Sequence, residues 1–92
     1  MRVVVIEDEP RLAENIAASL REGSGYAVDV ARDGEEGLYL ATTNGYDAVV
    51  LDLMLPKMAG AEVLRRMRAA GVRTPVLVLT ARGMKRTPWW GC

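Results

Sequence analysis

The sequence predicts an α/β chain whose sheet is doubly wound and mostly parallel, in the order βαβαβαβ. Three observations predict it. Val3 to Ile6, Val49 to Leu51 and Val76 to Leu79 are β-branched, unbroken apolar runs, the pattern of strands buried on both faces. Segments with apolar residues at helical spacing lie between the strands. No internal repeat or low-complexity linker interrupts the alternation, so right-handed crossovers should cover both faces of one sheet.

The first strand is expected over Arg2 to Ile6. Pro10 fits the first turn of a helix, where its missing N–H is not needed. Leu12, Ile16 and Leu20, with Ala13 and Ala17, make a stripe able to pack on the sheet, and Gly23 and Gly25 end that helix. Tyr26 to Ala31 alternates weakly and suits an edge strand. Asp33 followed by Glu36 resembles a capping box and leads a second helix through Leu38, Tyr39 and Leu40 to about Thr42, closed by Asn44-Gly45. Ala48 to Leu51 is the third strand. Leu55-Pro56 breaks the chain, Gly60 precedes a third helix with Val63, Leu64 and Met67 on one side, and Gly71 ends it. Thr74-Pro75 opens the fourth strand. After Arg82 the periodicity stops, and the tail through Pro88 and Trp89-Trp90 carries no pattern.

With 92 residues the chain is one domain or part of one. Half of it is hydrophobic and 26% charged, a composition that folds around a core. Twelve basic and twelve acidic side chains balance, so no net field draws it to nucleic acid or to an anionic membrane. Arg65, Arg66, Arg68 and Arg73 read as a solvated helix face. The N-terminus is too short for a secretory core, and no run approaches the roughly 20 apolar residues that span a bilayer, so a cytoplasmic location is expected. Cys92 is the single cysteine, and there is no His, which leaves neither an internal disulfide nor zinc or Cys/His catalysis.

Each strand run stops at a chemically useful residue: Glu7-Asp8, Asp52 and Thr80. In parallel sheets the crevice beyond the carboxyl ends of the strands is where ligands bind. Taken singly, Glu7-Asp8 reads as a turn before a helix, Asp52 as a loop acid and Thr80 as a strand-end residue. Together they read as a site. Carboxylates gathered in this way repel one another unless a cation neutralises them, and magnesium, which takes oxygen ligands and phosphate, is the natural candidate. A carboxylate beside a bound metal can act as a nucleophile toward phosphorus, and Thr80 could donate a hydrogen bond to the phosphoryl group.

The segments Val-Val-Val-Ile-Glu-Asp-Glu, Val-Val-Leu-Asp-Leu-Met-Leu-Pro-Lys-Met-Ala-Gly and Pro-Val-Leu-Val-Leu-Thr-Ala-Arg resemble the receiver domain of bacterial two-component response regulators. The wording of Leu51 to Gly60, Glu62 to Arg68 and Leu79 to Arg82 is similar to the subgroup whose complete members add a winged-helix DNA-binding domain. The resemblance covers residues 1 to about 82. It implies a flavodoxin-like sheet in strand order 2-1-3-4-5, with Asp52 accepting a phosphoryl group from a phosphohistidine on a sensor histidine kinase. It also implies Mg2+ held by Glu7, Asp8, Asp52 and the main-chain carbonyl of Met54, with Thr80 as the switch hydroxyl. Pro56 and Gly60 match the loop beyond the phosphorylation site, whereas Ala59 stands where the family often carries a polar residue.

The family's lysine at the end of a fifth strand, its fifth-strand aromatic and its last two helices have no counterpart. Lys85 lies only five residues past Thr80 and does not take that role. The expectation is therefore an incomplete receiver domain over residues 1–82, truncated after the fourth strand, with a non-family tail over 83–92 and impaired Mg2+-dependent phosphorylation. Val76 to Leu79 is expected to be an open edge, favouring a homodimer through that edge, through the Trp89-Trp90 tail, or both. No nucleic-acid binding by the chain itself and no membrane association are expected. An alternative is a non-signalling assembly or decoy fragment that pairs with itself or competes for a kinase. An aspartate-nucleophile phosphohydrolase is a weaker reading, because such enzymes place a second aspartate two residues after the nucleophile, and here that position is Met54.

Overall fold

One sheet positions everything that follows. A computed structural model describes residues 1–80 and 83–86 of the chain. Its elements are β1 (Arg2–Ile6), α1 (Pro10–Ser24), β2 (Ala27–Ala31), α2 (Gly34–Thr43), β3 (Ala48–Asp52), α3 (Gly60–Ala69), β4 (Val76–Thr80) and β5 (Gly83–Arg86). The strand order is β2-β1-β3-β4-β5. The first four strands are parallel, with Ile6 opposite both Ala31 and Leu51, and Asp52 opposite Leu79. This is the flavodoxin-like α/β arrangement that the alternating strands and helices predict.

The unbroken apolar runs pack on both faces. Val4, Ile6, Val49, Leu51, Val76 and Val78 belong to one core with Val63, Leu64 and Met67 of α3 and Ala41 of α2. Val3, Val5, Val28 and Val50 belong to the other, under Ala17 of α1. The α1 stripe is led by its small residues: Ala13 and Ala17 are fully buried, whereas Leu12 is 39% exposed.

The helix ends follow local chemistry. Pro10 is the first residue of α1, and the Glu9 carboxylate accepts the Arg11 and Leu12 N–H groups at 3.2 and 2.7 Å. Gly25, not Gly23, closes α1, in the left-handed region at φ 69°. Asp33 caps α2 by accepting the Glu36 N–H at 2.8 Å, while the Glu36 carboxylate reaches past the cap to the Arg32 N–H at 2.9 Å. On α3, Glu62 pairs with both Arg65 and Arg66, as a solvated face would. Arg68 donates to the Val72 carbonyl at 2.9 Å. No helix among the described residues is long and apolar enough to cross a membrane.

The sequence pattern stops at β4, but the sheet does not. β5 pairs antiparallel to β4, with Thr80 opposite Gly83, Val78 opposite Lys85 and Leu77 opposite Arg86. The expected open edge at Val76 to Leu79 is therefore covered, which removes the edge on which homodimer pairing was expected. The reason is physical. A parallel fifth strand needs a crossover of a dozen or more residues, whereas an antiparallel one needs only a tight reversal. Unpaired β4 backbone groups accept any neighbouring strand whatever its side chains, so Gly-Met-Lys-Arg can pair without a strand-like pattern. Trp89, Trp90 and Cys92 lie outside the described residues, and with them the tail's expected part in a homodimer.

Far from the strand ends that carry the acids, Tyr46 ties the sheet together. Its hydroxyl donates to Asp29 at 2.7 Å, and the Arg2 guanidinium lies 5.0 Å from its ring centroid. Burial, then the hydrogen bond and charge of Asp29, push the Tyr46 phenol up from its ordinary 10 to about 12, against the opposing pull of Arg2. A raised phenol binds its proton more tightly in the folded state. Its stabilising contribution is thus complete below pH 10 and is lost as pH rises toward 12. Urea midpoints measured at pH 9 and at pH 11.5 should fall more steeply in the parent than in Tyr46→Phe, and equal slopes would contradict the assignment.

The N-cap of α3 is Ala59, which makes no side-chain hydrogen bond. Ala59→Ser should supply the missing acceptor and stabilise the fold by about 1 kcal/mol. In a domain of this size, that corresponds to a rise of about 4–8 °C in Tm, measurable by circular dichroism.

Candidate functional site

The register of β1 on β3 builds the site. Ile6 lies opposite Leu51, so the residues just beyond each, Glu7 and Asp52, emerge side by side at the carboxyl edge. Glu7 is held there by its own N–H, which donates to the Ala31 carbonyl of β2 at 3.0 Å. Asp8 follows in the turn before α1. One carboxylate oxygen from each of Glu7, Asp8 and Asp52 lies within 4.8 Å of the others. They floor an open cleft of about 410 Å³ with Glu9, Leu12, Met54 and Leu79.

The three acids are unequal. Glu7 is buried, Asp52 half-buried and Asp8 exposed. Burial, above all, raises Glu7 to about 7; the Glu9 N–H, donated to its carboxylate at 2.8 Å, opposes this, and the Asp52 charge adds to it. Glu7 is thus held well above the ordinary carboxylate range, in a cluster with Asp8 and Asp52. The basic side chains with defined ion pairs are engaged elsewhere: Arg2 with Asp29, Lys57 with Asp33, and Arg65 and Arg66 with Glu62. This donor set fits a divalent cation. It is all oxygen and sits at an open cleft, and its most buried member resists ionising without a positive charge beside it.

The loop after Asp52 is held close to the strand. The Met54 N–H donates to Asp52 Oδ1 at 3.0 Å and orients the carboxylate. The Gly60 N–H donates to the Leu53 carbonyl at 3.0 Å. A Cβ at Gly60 would strike the Asp52 carbonyl oxygen and come within 2.7 Å of the Leu53 Cα, so only glycine lets α3 start this close to Asp52. Between them Lys57 takes φ 68°, in the left-handed region that favours glycine.

The predicted residues come together as follows. Glu7, Asp8 and Asp52 form one cluster, and Met54, 82% exposed, lines the same cleft. Thr80 ends β4, one residue beyond the partner of Asp52, while its hydroxyl lies outside the described side chains. Lys85 sits opposite Val78, back from the carboxyl edge. Three contributors escape a reading by residue type: Glu9, which caps α1 and donates to Glu7, and the apolar walls Leu12 and Leu79. The i, i+4 position of Leu12 signals a core residue, and only the turn geometry reveals that it overhangs the acids.

The model of the response regulator receiver domain matches residues 3–88. The chain is 51% identical over 82 residues to the transcriptional regulatory protein DltR of Streptococcus agalactiae, which covers 89% of this chain but 36% of that protein. The chain thus spans about a third of the length of such curated relatives. Among solved structures it is similar to the receiver domain of a Francisella response regulator, at TM-score 0.81 and 38% identity, covering 87% of this chain and 65% of that one. It is equally similar to response regulator TrrA of Thermotoga maritima in complex with Mg2+-BeF, at TM-score 0.81 and 36% identity, covering 87% and 69%. Sequence motif, strand order and acid cluster agree with these matches, and the chain belongs to the response regulator receiver domain family.

Proposed function

We propose that the chain is a phosphoacceptor module of two-component signal transduction, acting in the cytoplasm, with Asp52 as acceptor and a sensor histidine kinase as donor. The observation that carries this reading is the convergence of Glu7, Asp8 and Asp52 at one strand edge, within 4.8 Å of one another. Glu7, Asp8 and Asp52, with the Met54 main-chain carbonyl, would hold Mg2+. When bound, the ion offsets charge on phosphoryl oxygens. The TrrA complex with Mg2+-BeF supports such a site in a relative.

Asp52 supplies the nucleophile. Its carboxylate is aimed by the Met54 N–H at Oδ1, and a P–O bond forms to it as the P–N bond to the donor histidine breaks. Leu12, Met54 and Leu79 give the cleft its apolar walls. Thr80, at the end of the neighbouring strand, would donate a hydrogen bond to the product phosphoryl group. Transfer in this 92-residue chain should be slow. What supports this is the antiparallel register of β5, which sets Lys85 opposite Val78 rather than at the carboxyl edge, where a cation would offset charge on the phosphoryl oxygens. A phosphohydrolase reading is not supported, since Met54 occupies the position where a general acid would stand. The chain's balanced charge and the Glu62 pairing of Arg65 and Arg66 support no DNA contact by this module.

Magnesium at ten times its Kd should stabilise the fold by about 1.4 kcal/mol through mass action. Asp52→Asn should raise the metal-free Tm, because it relieves repulsion on Glu7, and should shrink the magnesium increment. An unchanged Tm in millimolar magnesium would overturn the metal site.

A small-molecule phosphodonor with magnesium should label Asp52 over a slow time course, with no label in Asp52→Asn, as intact-mass measurement would show. Labelling at another residue, or labelling that persists in Asp52→Asn, would refute the acceptor assignment.

A further inference from the structure

The first turn of α2 presses on the loop that follows Asp52. Gly34 is buried, and a Cβ built there would overlap the Met58 carbonyl oxygen and lie 2.7 Å from the Met58 Cβ. The Gly34 N–H donates to the Pro56 carbonyl at 3.2 Å, and the same carbonyl accepts the Met58 N–H at 2.8 Å. Beside this contact Lys57 pairs with Asp33, the cap of α2, at 3.7 Å. Lys57 is also the residue at φ 68°. Four consecutive features thus hold Pro56 to Met58 in one place: a backbone hydrogen bond, a close backbone approach, an ion pair and a left-handed residue. The opposite side of the loop is held by the Gly60 N–H on the Leu53 carbonyl.

We propose that Gly34 is a positioning residue for the Asp52 site. It contributes no atom to the cluster. Its missing side chain lets α2 clamp the β3–α3 loop, and the loop in turn presents the Met54 N–H to Asp52 Oδ1 and carries the Met54 carbonyl. The positioning effect on metal affinity rests on the magnesium reading above, whereas the clamp itself does not.

Gly37 supplies the control. It lies one turn along the same helix, and a Cβ there would meet the Ile6 side chain at 2.5 Å, in the core and away from the loop. Gly34→Ala, Gly37→Ala and the parent are compared by isothermal titration with magnesium and by amide hydrogen exchange at Met54. Gly34→Ala should weaken magnesium binding about tenfold and speed Met54 exchange by a similar factor. Gly37→Ala should lower Tm while leaving Met54 exchange within about twofold of the parent, since its Cβ meets Ile6 rather than the loop. Parent-like Met54 exchange in folded Gly34→Ala, or equal losses in both variants, would overturn the proposal. If the parent binds no magnesium, the metal reading fails and Met54 exchange alone decides the clamp. If Gly34→Ala does not fold, Asp33→Asn takes its place, since it keeps the cap and drops the ion pair. Exposed pairs of this kind are weak, so about twofold faster Met54 exchange at unchanged Tm is expected, and no change would overturn the clamp.

Discussion

The parallel register of β1 against β3 is the constraint on which the site depends. With Ile6 opposite Leu51, two segments more than forty residues apart in sequence deliver Glu7 and Asp52 to one edge. A slip of one residue would turn every side chain of β1 to the other face. Val4 and Ile6 would leave the α2–α3 core, and Val3 and Val5 would leave the α1 core. Because both faces are buried, the hydrophobic effect enforces the alignment of the acids. The energy that holds the carboxylates together therefore comes from valines and isoleucine that do not line the cleft.

That alignment has an electrostatic cost. Desolvation of Glu7, reinforced by the Asp52 charge, disfavours ionisation of the cluster. The fold tolerates this through local hydrogen bonds: the Glu9 N–H on Glu7 and the Met54 N–H on Asp52. Both donors are backbone groups of loops, so the acids are only as well placed as those loops. The glycines at 34 and 60 matter for that reason. Each lets a helix start come within contact of the loop backbone, where any Cβ would force the loop away from Asp52.

Most of the fold was legible because burial and periodicity encode it directly. Val3 to Ile6 and Val76 to Leu79 have no polar alternation, and both prove to be inner strands. Asp33 and Pro10 mark helix starts by hydrogen-bonding chemistry that acts within a few residues. The acid cluster was legible because each member sits immediately at a strand end. What sequence could not show depends on through-space approach. Gly34 reads as one more helix-start residue, and only the Met58 backbone against it reveals why a side chain is excluded. Leu12 reads as core, yet the alanines of α1 make the closest contact with the sheet and leave it over the cleft. β5 was illegible for a different reason, since backbone pairing imposes no side-chain pattern on the paired strand.

β5 also separates two tasks that one strand could combine. Covering the edge of β4 requires only backbone pairing, and four residues running antiparallel accomplish it. A strand that delivers its last residue to the carboxyl edge must run parallel to β4, whereas β5 runs antiparallel and places Lys85 opposite Val78. A short edge strand ending in Lys85 and Arg86 is also a poor template for another chain, since brevity and charge both discourage pairing. The antiparallel pairing that covers the β4 edge is the same pairing that sets Lys85 back from the carboxyl ends of the parallel strands.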